Sequence, residues 1–132
     1  MAGVKKVLVV EDDRAIRDMI IAMLAEAGYA VAAARNGAEG LERCREFGPD
    51  VVVLDLLMPE VDGIEFLKRR PNEGCHAPVV VMSAAFHRRS LPPDTPVEAF
   101  IEKPFAIEKF LDTIAAQTLE EDGGRRRRMS RN

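Results

Sequence analysis

The chain has 132 residues, 47% of them hydrophobic and 31% charged, which is ordinary for one soluble globular domain and long enough for a real core. Its apolar runs are far too short to span a bilayer. The net charge of −3 is unevenly placed: setting aside Arg125, Arg126, Arg127, Arg128 and Arg131 takes it from −3 to −8, and an acidic body argues against general nucleic-acid binding by the domain itself.

Strand and helix patterns alternate along the chain, which predicts a parallel sheet with helices on both faces. Lys6 to Val10 reads as the first strand. Arg14 to Ala27 follows as a helix, with Ile16, Met19, Ile20, Met23 and Leu24 at helical spacing, Asp13 as N-cap and Gly28 just past the end. Ala30 to Ala34 is a short second strand. Asn36-Gly37 turns into a helix over 38–47, which Gly48-Pro49 terminates. Asp50 to Asp55 is the third strand, followed by a helix from Val61 or Asp62 to about Arg70, ended by Pro71. Pro78 to Met82 is the fourth strand, Val97 to Glu102 holds the fifth, and Phe105 to about Glu120 is the last helix. A parallel crossover needs a helix or a substitute between the fourth and fifth strands. Pro92, Pro93 and Pro96 oppose one there, so that helix is expected to be short or missing. Residues 1–120 are read as the domain and 121–132 as a disordered basic tail.

Cys44 and Cys75 are far apart and form no CxxC; with no signal peptide, two reduced structural thiols in the cytoplasm are expected. Met19, Met23, Met58 and Met82 are read as core, and His76 and His87 as surface residues.

Chemistry gathers where strands end. Val51-Val52-Val53-Leu54 is an apolar run typical of a strand buried on both faces, and it delivers Asp55 at its carboxyl end. Ligands of open α/β sheets bind at that edge. The first strand runs into Glu11, Asp12 and Asp13, the fourth into Ser83, and the fifth into Lys103. Three clustered carboxylates repel one another and resist ionisation when buried. A hard cation such as Mg²⁺, which takes oxygen ligands, resolves both problems, whereas no His/Cys set suits Zn²⁺. Asp55 could then act as a nucleophile toward phosphorus, with Lys103, the Ser83 hydroxyl and the Ala84 amide stabilising the phosphoryl oxygens.

Val-Val-Glu-Asp-Asp, Val-Val-Val-Leu-Asp-Leu-Leu-Met-Pro-Glu-Val-Asp-Gly, Val-Val-Val-Met-Ser-Ala and Phe-Ile-Glu-Lys-Pro-Phe occur in that order. Together they resemble the receiver domain of two-component response regulators, of the single-domain, chemotaxis-regulator-like kind, over residues 4 to about 118. The resemblance implies a flavodoxin-like, doubly wound five-stranded sheet of order 2-1-3-4-5. It implies Asp55 as phosphoacceptor, with Glu11, Asp12, Asp55 and the Leu57 backbone carbonyl around Mg²⁺. Ser83 matches the family's switch hydroxyl and Lys103 its lysine, with Lys103-Pro104 as a cis peptide. Phe100 falls at the aromatic switch position, although an aromatic on a strand serves equally well as core. Asp13 lies one place past the acidic pair and is read as a helix cap.

The implied partners are a histidine kinase or phosphotransfer protein and a downstream protein target. No DNA-binding domain and no membrane span are expected, and a homodimer is an allowed assembly. The domain would be a self-phosphorylating and self-dephosphorylating signalling unit rather than a turnover enzyme. Two departures bear on the signal-relaying surface: the stretches from Asp55 to Ser83 and from Ser83 to Lys103 are both short. The abnormal fourth-helix segment motivates an alternative, a phosphorylation-independent scaffold on the same fold, which the intact acidic set opposes. A phosphatase with an aspartate nucleophile ranks lower, because Leu57 stands where a second acid would be needed.

Overall fold

A computed structural model describes residues 3–56, 63–83 and 97–118. Five parallel strands form one sheet: β1 (Lys6–Val10), β2 (Ala30–Ala34), β3 (Val51–Asp55), β4 (Val79–Ser83) and β5 (Ala99–Glu102), in the order β2-β1-β3-β4-β5. Four α-helices lie among the described residues: α1 (Arg14–Glu26), α2 (Gly37–Phe47), α3 (Gly63–Arg69) and α4 (Ile107–Thr118). The doubly wound sheet and its strand order agree with the sequence expectation. The segment proposed to lack a helix, the residues Leu57, Met58, Ala84 and His87, and the arginine tail lie outside the described residues.

The strands obey a two-residue period. Leu8, Val10, Val52, Leu54, Val79 and Val81 pack on one face with Leu41 of α2 and Phe66 of α3. Val7, Val9, Val51, Val53, Val80 and Met82 pack on the other with Ile20 and Leu24 of α1 and Phe110 and Ile114 of α4. Both faces are therefore covered, which is why β1, β3 and β4 read as unbroken apolar runs. Met19 departs from the expected core role and is 50% exposed. It precedes Ile20 by one residue and so lies about 100° around the helix from the buried side that carries Ile20, and Ile21 packs on the core instead.

Local chemistry sets the helix ends. The Asp13 carboxylate accepts from the amide of Ile16 at 2.9 Å and caps α1, as expected. Asn36 accepts from the amide of Glu39 at 2.8 Å, while the Glu39 carboxylate reaches back to the amide of Arg35 at 2.7 Å. Gly48 closes α2 in the left-handed region (φ 62°), where a side chain is costly. Pro71 does not end the helical path. α3 stops at Arg69 and a 3₁₀ turn, Arg70–Glu73, follows with Pro71 in its first turn, where a missing N–H matters little.

The cysteines correct the sequence reading. Cys44 and Cys75 are joined in a disulfide, with Cα atoms 5.5 Å apart across 31 residues of chain. Absence of a CxxC excludes only closely spaced pairs; the fold brings the last turns of α2 against the loop before β4. The bond is fully internal: Cys44 is 4% and Cys75 0% exposed. The Arg70 guanidinium, itself buried, holds the same loop by donating to the carbonyls of Cys75 (3.3 Å) and Ala77 (2.7 Å).

Candidate functional site

The carboxyl edge of the sheet collects residues from four strands. Glu11 continues the line of β1, its amide donating to the Ala34 carbonyl of β2 at 3.0 Å. Asp55 is the last residue of β3 and pairs with Met82, so Ser83 lies one step beyond it on the adjacent strand. Lys103 follows β5, and its amide donates to the Ser83 carbonyl at 3.0 Å. Parallel register alone thus brings together side chains that are up to 92 residues apart in sequence.

The Lys103 ammonium stands 3.2 Å from a Glu11 carboxylate oxygen and 3.9 Å from one of Asp55. It bridges two buried acids: Glu11 is 1% and Asp55 6% exposed. One carboxylate oxygen from each of Glu11, Asp12 and Asp55 lies within 4.8 Å of the others. Burial pushes the Glu11 carboxyl up from its ordinary 4.5 to about 7. A hydrogen bond to Asp55 and that residue's negative charge add to the rise; Lys103 and the amide of Asp13 oppose it. Near neutrality the Glu11 carboxyl is therefore poised between its protonated and ionised forms. An all-oxygen donor set with surplus negative charge is what a hard divalent cation requires.

Ser83 is buried at the same edge. Lys103-Pro104 is a cis peptide. Phe100 is half-buried and packs against the Leu8 face of the core. Asp13 serves as the α1 cap rather than as a member of the acidic group. Sequence reasoning passed over two residues. A Cβ added at Gly63 would fall 2.5 Å from the Cα of Leu56 and 2.7 Å from the carbonyl oxygen of Asp55, so α3 starts directly on the acceptor strand because Gly63 has no side chain. Arg17 is the other: its guanidinium donates to the Glu11 carbonyl at 3.1 Å and, more weakly, to that of Asp12 at 3.4 Å. The available signal was a cation close to a helix N-terminus, where the dipole disfavours it unless another partner is in reach.

A five-stranded α/β sheet of this order, with buried acids and a lysine at its carboxyl edge, defines a class, and comparison with known proteins places the chain within it. Residues 7–115 match the response regulator receiver domain, and the chain belongs to that family. Response regulator MprA of Mycolicibacterium vanbaalenii is 35% identical over 123 residues, covering 89% of this chain and 53% of that protein. MprA of Mycobacterium leprae is 35% identical over 113 residues, 84% of this chain and 50% of the relative. The chain thus spans about half the length of these curated relatives. Among solved structures, the receiver domain protein (CheY-like) of Methanospirillum hungatei superposes with a TM-score of 0.83 at 22% identity, covering 92% of this chain and 99% of that one. The chemotaxis protein CheY4 of Vibrio cholerae does so with 0.77 at 29% identity, over 86% and 98%. A receiver is a signalling domain of two-component systems. Among the described residues no helix is long and apolar enough to cross a membrane.

Proposed function

We propose that this receiver accepts a phosphoryl group on Asp55 from a phosphohistidine of a partner kinase or phosphotransfer protein, and passes the signal on by a protein contact. A carboxylate oxygen of Asp55 attacks phosphorus; the new O–P bond forms as the N–P bond to the donor imidazole breaks, and that nitrogen takes up a proton. Glu11, Asp12 and Asp55 would hold Mg²⁺, with the Leu57 carbonyl as a further donor. When bound, the ion neutralises phosphoryl oxygens. Lys103 provides the second positive charge, and Ser83 with the Ala84 amide donates hydrogen bonds to the transferred group.

The observation that carries this reading is the Lys103 ammonium set between Glu11 and Asp55 at 3.2 and 3.9 Å. Once phosphorylated, Asp55 gains roughly −1.5 to −2 charges. That charge draws Lys103 from Glu11 toward the phosphoryl group and Ser83 inward, biasing a pre-existing equilibrium. We assign it no turnover chemistry beyond loss of its own phosphoryl group, and a cytoplasmic setting, where the kinase partner would offer its phosphohistidine. Incubation with Mg²⁺ and acetyl phosphate tests the reading by intact mass. Gain of one phosphate on wild type and none on Asp55→Asn is expected; no gain on wild type would overturn it.

A further inference from the structure

Glu11 and Asp12 can serve a cation only if the short segment between β1 and α1 is held still, and a set of hydrogen bonds holds it. The amide of Glu11 is tied to Ala34 on β2 at 3.0 Å. The Asp13 carbonyl accepts from the backbone amide of Arg17 at 2.8 Å. The carbonyls of Glu11 and Asp12 both receive Nη1 of the Arg17 side chain. Glu11 is thereby fixed on both sides of its Cα, by β2 through its N–H and by Arg17 through its C=O. Arg17 is half-buried and forms no ion pair among the described residues, so its contacts here are with carbonyl oxygens rather than with the acids. Arg14, one turn earlier on α1, differs: it is exposed and pairs with Asp18 at 3.8 Å.

We propose that Arg17 is a positioning residue for the acidic pair and sets the affinity of the site for a divalent cation; this rests on the reading of Glu11, Asp12 and Asp55 as cation ligands. Its guanidinium aims the ligand-bearing backbone without occupying the carboxylate oxygens. Groups that orient metal ligands change affinity by about 10-fold to 100-fold when removed. The charge of Arg17 acts in the opposite direction: a guanidinium near the site repels Mg²⁺, so deleting it for charge alone tightens binding. The two accounts therefore differ in sign.

The test is Mg²⁺ titration of the full chain at pH 8, followed by calorimetry and by amide shifts of residues 11–13. Wild type, Arg17→Ala, Arg17→Lys and Arg14→Ala are compared, with thermal melts in chelator as the check on folding. Expected are an approximately tenfold weaker Kd for Arg17→Ala, partial recovery in Arg17→Lys, and an unchanged or slightly tighter Kd for Arg14→Ala. Unchanged or tighter binding by Arg17→Ala would overturn the assignment. If Arg17→Ala does not fold, Arg17→Lys decides: its ammonium keeps the charge but not the fork, and wild-type affinity would overturn the proposal. Failure of wild type itself to bind Mg²⁺ would remove the underlying reading and this assignment together, whereas wild-type binding without an Arg17 effect removes this assignment alone.

Discussion

At the scale of single residues, the site balances repulsion between Glu11 and Asp55 against one ammonium. Replacing Lys103 by Ala leaves two buried carboxylates facing each other without it. The fold should persist, because Lys103 is outside both core clusters, but the link from acceptor to β5 should be cut. Beryllofluoride with Mg²⁺ should shift the amide resonances of β4 and β5 in wild type and leave them nearly unmoved in Lys103→Ala; equal shifts in both would count against the relay. Gly63 presents a steric constraint of a different kind. In Gly63→Ala the new methyl meets backbone on two sides, and neither can rotate away. A loss of about 1–3 kcal/mol in urea unfolding is expected, together with slower labelling of Asp55 by acetyl phosphate. A variant as stable and as reactive as wild type would show that α3 can recoil at no cost.

At the scale of elements, hydrophobic period and turn chemistry carried most of the architecture. All five strands were legible because each central one is a short β-branched run ended by a polar residue. The caps of α1 and α2 were legible because Asp13, Asn36 and Gly48 have few other uses at those places. The acidic residues were legible for a related reason, since parallel strands share one carboxyl edge and whatever ends a strand must gather there. The disulfide was not, because pairing over 31 residues depends on how α2 packs against the loop before β4, and no local pattern encodes that packing. Arg17 and Gly63 were missed for the same cause: each acts through backbone atoms of another segment. The disulfide lies at the opposite end of the sheet from Asp55, between the end of α2 and the loop that enters β4. Closing a loop of that length stabilises a fold by about 3–4 kcal/mol in the chain-entropy account. Thiol reduction should therefore lower the denaturation midpoint of wild type and not that of a Cys44→Ser/Cys75→Ser double variant. Acetyl phosphate labelling should be the same with and without reductant wherever the protein remains folded.

At the scale of the molecule, protons and cations compete for one acidic pocket. The raised Glu11 carboxyl means that the metal-free fold holds a proton more tightly than the unfolded chain does. The stability it contributes is full below pH 4.5 and is lost as pH rises through about 7. Mg²⁺ needs the ionised carboxylate, so its affinity runs the other way and should fall about tenfold from pH 8 to pH 6. Thermal melts in chelator at pH 5 and pH 8, repeated with saturating Mg²⁺, measure both effects. Glu11→Gln should flatten the chelator profile, and a slope equal to wild type would place the titration elsewhere.

Because Cys44 and Cys75 are bonded, the chain contains a covalent ring, and β3 with its terminal Asp55 lies inside it. One protease cut anywhere between the two cysteines opens the ring without releasing a fragment. Such a nicked molecule should migrate as a single band on a denaturing gel run without thiol and as two once thiol is added. A nicked domain therefore keeps every residue and gains only the water of hydrolysis, so a denaturing gel run without thiol does not reveal the break.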